Sequence, residues 1–183
     1  LKSSDAQLQE DWSQDLTVGQ MVREPAVVPG LAKSDSFAWV IKFLIEELNY
    51  VAGEDFIEFP YDWRLDNRTS ADLLAGTLAE WRAGRSNPNE KVTIIAHSMG
   101  GLIARAALLN AEVADACERC VLMGTPHQGS LAALAAVTRG NTSMPLRRAA
   151  DKVRNVVLRF DSLYQLLPTY PGARMEDGTP FLP

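Results

Sequence analysis

Lys91–Arg105 reads KVTIIAHSMGGLIAR, and the reading of this stretch decides the fold. Val92-Thr93-Ile94-Ile95-Ala96 is an unbroken β-prone run of strand length. Ser98 follows, then Met99-Gly100-Gly101, and an alanine- and leucine-rich helical pattern begins there. Strand, tight turn, serine and helix in that order is the context of a nucleophile elbow. Such a turn crowds the residues two before and two after the serine, so both must be small. Ala96 and Gly100 occupy those positions. A helix N-terminus directly behind Ser98 offers free N–H groups and a positive dipole end to a developing oxyanion. Ser98 is therefore the candidate nucleophile.

The rest of the composition is that of an ordinary globular domain. At 183 residues the chain is long enough to bury a sizeable core as one domain. Apolar residues make up 46% and charged residues 22%, the balance of a globular protein. With 18 Lys and Arg against 23 Asp and Glu the net charge is −5, which argues against a nucleic-acid partner. No run has the roughly 18 consecutive apolar residues of a membrane span. The N-terminal LKSSDAQLQEDWSQD is polar and acidic, without the form of a secretory signal, and assigns no compartment. The two cysteines, Cys117 and Cys120, lack the further Cys or His ligands of a zinc site and read as small packed side chains.

Outward from the elbow, strands alternate with helical patterns. Pro25–Val28 reads as a short buried strand halted by Pro29-Gly30. Ser34, Asp35 and Ser36 offer cap oxygens to a helix over Phe37–Leu48. Phe56–Phe59 reads as a strand, and a helix starting at Ser70 or Asp72 runs to Trp81. After the elbow helix come a short helix at Glu112–Ala116, a strand at Cys120–Met123 and a helix at Leu131–Val137. Residues 147–166 show helical spacing, and the tail is rich in turns. The alternation predicts βαβ crossovers, hence an α/β fold with a mostly parallel sheet and helices on both faces. We expect one domain with its elbow core over 24–130 and a helical, cap-like region over 131–172. The loop at Thr138–Arg148 is a candidate lid.

Four segments carry a more specific resemblance: Val28-Pro29-Gly30-Leu31, Phe59-Pro60-Tyr61-Asp62-Trp63-Arg64, Ala96-His97-Ser98-Met99-Gly100-Gly101 and Gly124-Thr125-Pro126-His127-Gln128-Gly129-Ser130. Tyr164-Gln165-Leu166-Leu167-Pro168 joins them. In this order the chain resembles the lecithin:cholesterol acyltransferase family of α/β-hydrolases, in its bacterial form, over roughly residues 20–172. The resemblance implies Ser98 as the acyl-accepting nucleophile. It implies the N–H groups of Met99 and Leu31 as the two oxyanion donors. Trp63 matches a loop near the family's acyl site, and an aromatic there equally serves to anchor its own loop. The implied partner is a lipid or ester substrate. Acyl-serine chemistry requires no metal or organic cofactor.

In this fold the nucleophile is followed along the chain by an acid and then a histidine base. After Ser98 the sequence has only His127, in the loop directly following a strand, and His97 adjoins the serine. Neither stands where the family base stands, and Asp151, Asp161 and Asp177 have no histidine downstream. We therefore expect the middle of an α/β-hydrolase, incomplete at both ends. Three readings follow. The first is a lipid acyltransferase or serine esterase passing an acyl group from Ser98 to an alcohol or to water. A different lipase-like hydrolase or carboxylesterase is the nearest enzyme alternative. The third is a non-catalytic lipid-binding or interaction remnant without a complete triad.

Overall fold

The computed structural model describes residues 19, 26–28, 32–33, 37–139, 158–171, 173–174, 178 and 180–181. The chain divides into two compact units, Leu1–Tyr61 and Asp62–Pro183.

In the first unit, β1 (Ala26–Val28) pairs antiparallel with β2 (Ala32–Lys33). Of the strand expected at Pro25–Val28, Ala26–Val28 thus forms, and Pro25 lies outside the described residues. Helix α1 (Ala38–Glu46) buries Ile41 and stacks Trp39 on Phe43, one turn apart, with ring centroids 5.8 Å from each other. The expected cap oxygens of Ser34–Ser36 lie outside the described residues. The strand expected at Phe56–Phe59 does not form: among the described residues this stretch has only an isolated bridge from Phe56 to Ala52. Aromatic and β-branched residues favour extended backbone, but a strand also needs a partner to complete its hydrogen-bond ladder.

The second unit is built on a βαβ crossover. Strand β3 (Val92–His97) leads through α3 (Gly100–Ala107) and α4 (Ala111–Ala116) to β4 (Cys117–Met123), which pairs parallel with β3. The β4 strand starts three residues earlier than its apolar run suggests. Val92 pairs with Cys117 and Thr93 with Arg119, so Glu118 is an extra residue at a bulge. The bulge brings Cys117 and Cys120, both free thiols, to the same face of β4. Burial of the Cys120 thiol, and then the neighbouring Cys117, push its pKa up.

Helix α2 (Asn67–Ala83) packs against α3. It starts before the expected Ser70, because Asp66 is its N-cap and accepts the Arg68 N–H at 2.7 Å. Small side chains let the two helices approach: Ser70 and Ala71 on α2 face a core that includes Ile103, Ala104 and Ala107 of α3, each no more than 2% exposed. Asn110 caps α4 by accepting from the Glu112 and Val113 N–H groups. Lys91, at the entrance to β3, donates to the Asp115 carbonyl of α4 and pairs with its carboxylate.

Helix α5 (Leu131–Arg139) follows the loop after β4, somewhat longer than expected. The expected helix over 147–166 is described only at its end, as α6 (Asp161–Gln165). Its earlier part and most of the Thr138–Arg148 loop lie outside the described residues. In the tail, β5 (Ala173–Arg174) and β6 (Pro180–Phe181) pair antiparallel, a feature that the turn-rich sequence does not announce.

Candidate active site at the strand-helix turn

Ser98 occupies the turn between β3 and α3 with φ +52°. This left-handed conformation is rare for a residue with a side chain, and it is held by hydrogen bonds on both sides. The Ser98 N–H donates to Met123 O at 2.9 Å, extending the β3–β4 ladder by one residue. The Ser98 carbonyl accepts the Gly101 N–H at 3.0 Å and so begins the helix. Met99 is the N-cap of α3. Its carbonyl accepts from Leu102 and Ile103, whereas its own N–H makes no hydrogen bond among the described residues. One open N–H of the helix start therefore belongs to the residue directly after the serine.

The sequence-derived candidates distribute as follows. Ser98 and Met99 are adjacent at this turn, both half-buried. Leu31 lies outside the described residues. Both His97 and His127 are exposed, and among the described residues neither hydrogen-bonds to Ser98. Trp63 is 55% exposed, with its ring set edge-on against the buried Phe160 at 5.0 Å.

What sequence reasoning missed is how the motifs are joined. The segment Phe160–Thr169 holds two of them. Toward the Trp63 loop, Ser162 Oγ donates to Trp63 O at 2.5 Å and Gln165 Oε1 accepts the Asn67 N–H at 2.8 Å. Inside that loop the Arg64 guanidinium grips Asp62 at 2.8 and 2.5 Å. This hydrogen bonding holds the Asp62 carboxyl below the usual carboxylate range, against a smaller opposing effect of burial. Toward the loop after β4, the Ser130 N–H donates to Leu166 O at 2.8 Å and the Thr169 N–H to Gln128 O at 2.9 Å. Gly129, with φ +89°, lies directly on the Leu167–Pro168 peptide; a Cβ there would stand 2.6 Å from Pro168 Cα and closer still to the Leu167 carbonyl. Gln165 and Pro168 in the sequence gave no sign of these partners.

Elsewhere in the second unit a surface cleft of about 370 Å³ lies beside α2 and α4, lined by Asp72, Arg82, Asn110 and Glu112 among others. Its lining includes no elbow residue. Among the described residues no three His, Cys, Asp or Glu side chains cluster to hold a metal. No described helix is long and apolar enough to cross a membrane.

Residues 30–181 match the lecithin:cholesterol acyltransferase family. The chain belongs to that family. The α/β-hydrolase fold class expected from the sequence thus stands, with β3 and β4 as its parallel strands among the described residues. No curated protein matches the chain. Among solved structures, the mature lipase BlEst2 of Bacillus licheniformis is similar at 27% identity and a TM-score of 0.40, over 58% of this chain and 37% of that one. The chain thus spans little more than a third of the length of that lipase.

Proposed function

We propose that Ser98 is the acyl-accepting nucleophile of a lipid acyltransferase or esterase. The observation that carries this reading is the turn itself: a serine at φ +52° between a parallel strand and a helix, followed by an open N–H. In the reaction, Ser98 Oγ attacks the carbonyl carbon of a lipid ester and gives up its proton to a base. The tetrahedral oxyanion is stabilised by the Met99 N–H and, on the family pattern, by the Leu31 N–H. Each such donor contributes on the order of 3 kcal/mol to the barrier. The alcohol leaves, and an alcohol or water takes the acyl group from Ser98. Trp63, exposed beside this loop network, is proposed to contact the acyl chain with its free ring face.

The test offers the full chain phosphatidylcholine vesicles containing a long-chain alcohol and measures free fatty acid and acyl ester. Product is expected from the wild type, falling by on the order of a thousandfold or more in Ser98→Ala. Equal turnover in both proteins would remove Ser98 from the mechanism. The ratio of ester to free acid tells transfer from hydrolysis. The competing reading, a lipid-binding remnant, rests on the positions of His97 and His127, both exposed and neither where the family's base stands. It expects vesicle binding without either product.

A further inference from the structure

The chain leaves β4 through Gly124-Thr125-Pro126, and the Thr125 side chain comes to lie against the first turn of α3. A Cβ at Gly101 would stand 2.7 Å from Thr125 Cγ2 and 2.8 Å from Thr125 Cβ, and closer still to Oγ1. Only a residue without a Cβ can approach Thr125 this closely. Gly101 is buried, and its N–H donates to Ser98 O at 3.0 Å. A shift of Gly101 is thus passed to Ser98 through one hydrogen bond and to Met99 through two peptide units.

Thr125 in turn is held from its own side. Met123, two residues earlier, is fixed in the β3–β4 ladder and accepts the Ser98 N–H. Thr125 O accepts the His127 N–H at 3.0 Å. The hydroxyl, by contrast, is buried with no hydrogen-bond partner among the described residues. A buried hydroxyl loses its water and here gains no bond in return, which disfavours it against an apolar side chain of equal shape. What the side chain supplies at this point is volume and branching, set against a bare Cα.

We infer that Thr125 is a positioning residue: its branched side chain is a wedge that seats Gly101 and thereby fixes where Ser98 Oγ and the Met99 N–H point. The inference rests on the reading of Ser98 as nucleophile. It makes Gly101 and Thr125 one device, joining the serine motif to the motif after β4. It also separates shape from hydrogen bonding, because valine keeps the wedge and loses only the hydroxyl.

The experiment compares Thr125→Val and Thr125→Ala in the full chain by two readouts. One is amide hydrogen exchange at Gly101–Ile103. The other is the rate at which a fluorophosphonate modifies Ser98, with kcat and KM on a soluble ester beside it. Thr125→Val should keep both within about twofold of wild type, with an unfolding midpoint equal or higher. Thr125→Ala should speed the exchange and slow the modification, each by about tenfold or more, and lower kcat with KM unchanged. If the alanine variant does not fold, Thr125→Ser keeps Oγ1, the atom nearest Gly101, and loses the methyl, so it should move both readouts the same way by a smaller amount, about threefold. Unchanged exchange and labelling in the alanine or serine variant would overturn the wedge, and so would a valine variant as impaired as alanine. A lower midpoint with normal labelling of the folded fraction would also overturn it, as the mark of a structural role alone. A wild type that fluorophosphonate does not modify would instead defeat the nucleophile reading, and the exchange comparison would still decide the wedge.

Discussion

Ser98 holds a backbone conformation that costs a residue with a Cβ about 1–2 kcal/mol. Glycine would pay almost none of that, so Ser98→Gly is expected to raise stability by up to about 1 kcal/mol while abolishing acyl chemistry. Denaturant unfolding of the variant checks the first half and ester turnover the second. The Asp62–Arg64 pair makes a different prediction. Because hydrogen bonding to Arg64 depresses the Asp62 pKa in the folded chain, its contribution is full above the unfolded value of about 4. It is lost as the pH falls through the lower folded value. Asp62→Asn should therefore flatten the decline in the unfolding midpoint below about pH 4. A decline as steep as in wild type would show that the pair contributes little. At this scale the sequence was legible in the strand–turn–helix path through Ser98 and Met99, where a short local pattern determines a turn. It was silent on Asp62 and Arg64 as partners of each other, and on Thr125, whose neighbour Gly101 is 24 residues away.

Among elements, the loop after β4 depends on Gly129. An alanine there would meet the Leu167–Pro168 peptide and would also have to adopt φ +89°. Backbone cannot yield as a flexible side chain can, so Gly129→Ala is expected to cost about 3 kcal/mol or more. Thermal unfolding measures it, and a loss below about 1 kcal/mol would mean that the loop can detach from the Leu166–Thr169 segment without harm. Helices were largely readable because caps and apolar spacing are local signals. The start of α2 was misplaced because Ser70 and Asp72 look like caps as well as Asp66 does, and only the Arg68 N–H bonded to Asp66 decides among them. Strand limits were less readable. Phe56–Phe59 has the composition of a strand without its pairing, and β4 begins at a bulge that its polar residues Glu118 and Arg119 conceal.

Over the whole molecule, the distribution of burial separates what holds the second unit from what decorates it. Ile103 on α3 is 1% exposed, whereas Ile95 on β3 is 39% exposed. Ile103→Ala is expected to cost about 2–5 kcal/mol and Ile95→Thr less than about 1 kcal/mol, by denaturant unfolding of the two variants. Comparable losses would mean that the face of β3 bearing Ile95 is covered in solution. The α/β class was legible at this scale because one strand–serine–helix stretch and one following strand already imply a parallel crossover. The joining of the separated motifs within the second unit was not, since contacts such as Ser130 to Leu166 and Trp63 to Ser162 link residues far apart in the chain. The central claim is that this turn presents an acyl-accepting serine. The measurement that tests it most directly is the mass of the adduct formed when the folded 183-residue chain meets a fluorophosphonate. One phosphonyl group on the peptide containing Ser98, absent in Ser98→Ala, is the predicted result. A folded chain without an adduct, or with the adduct on another serine, would contradict it.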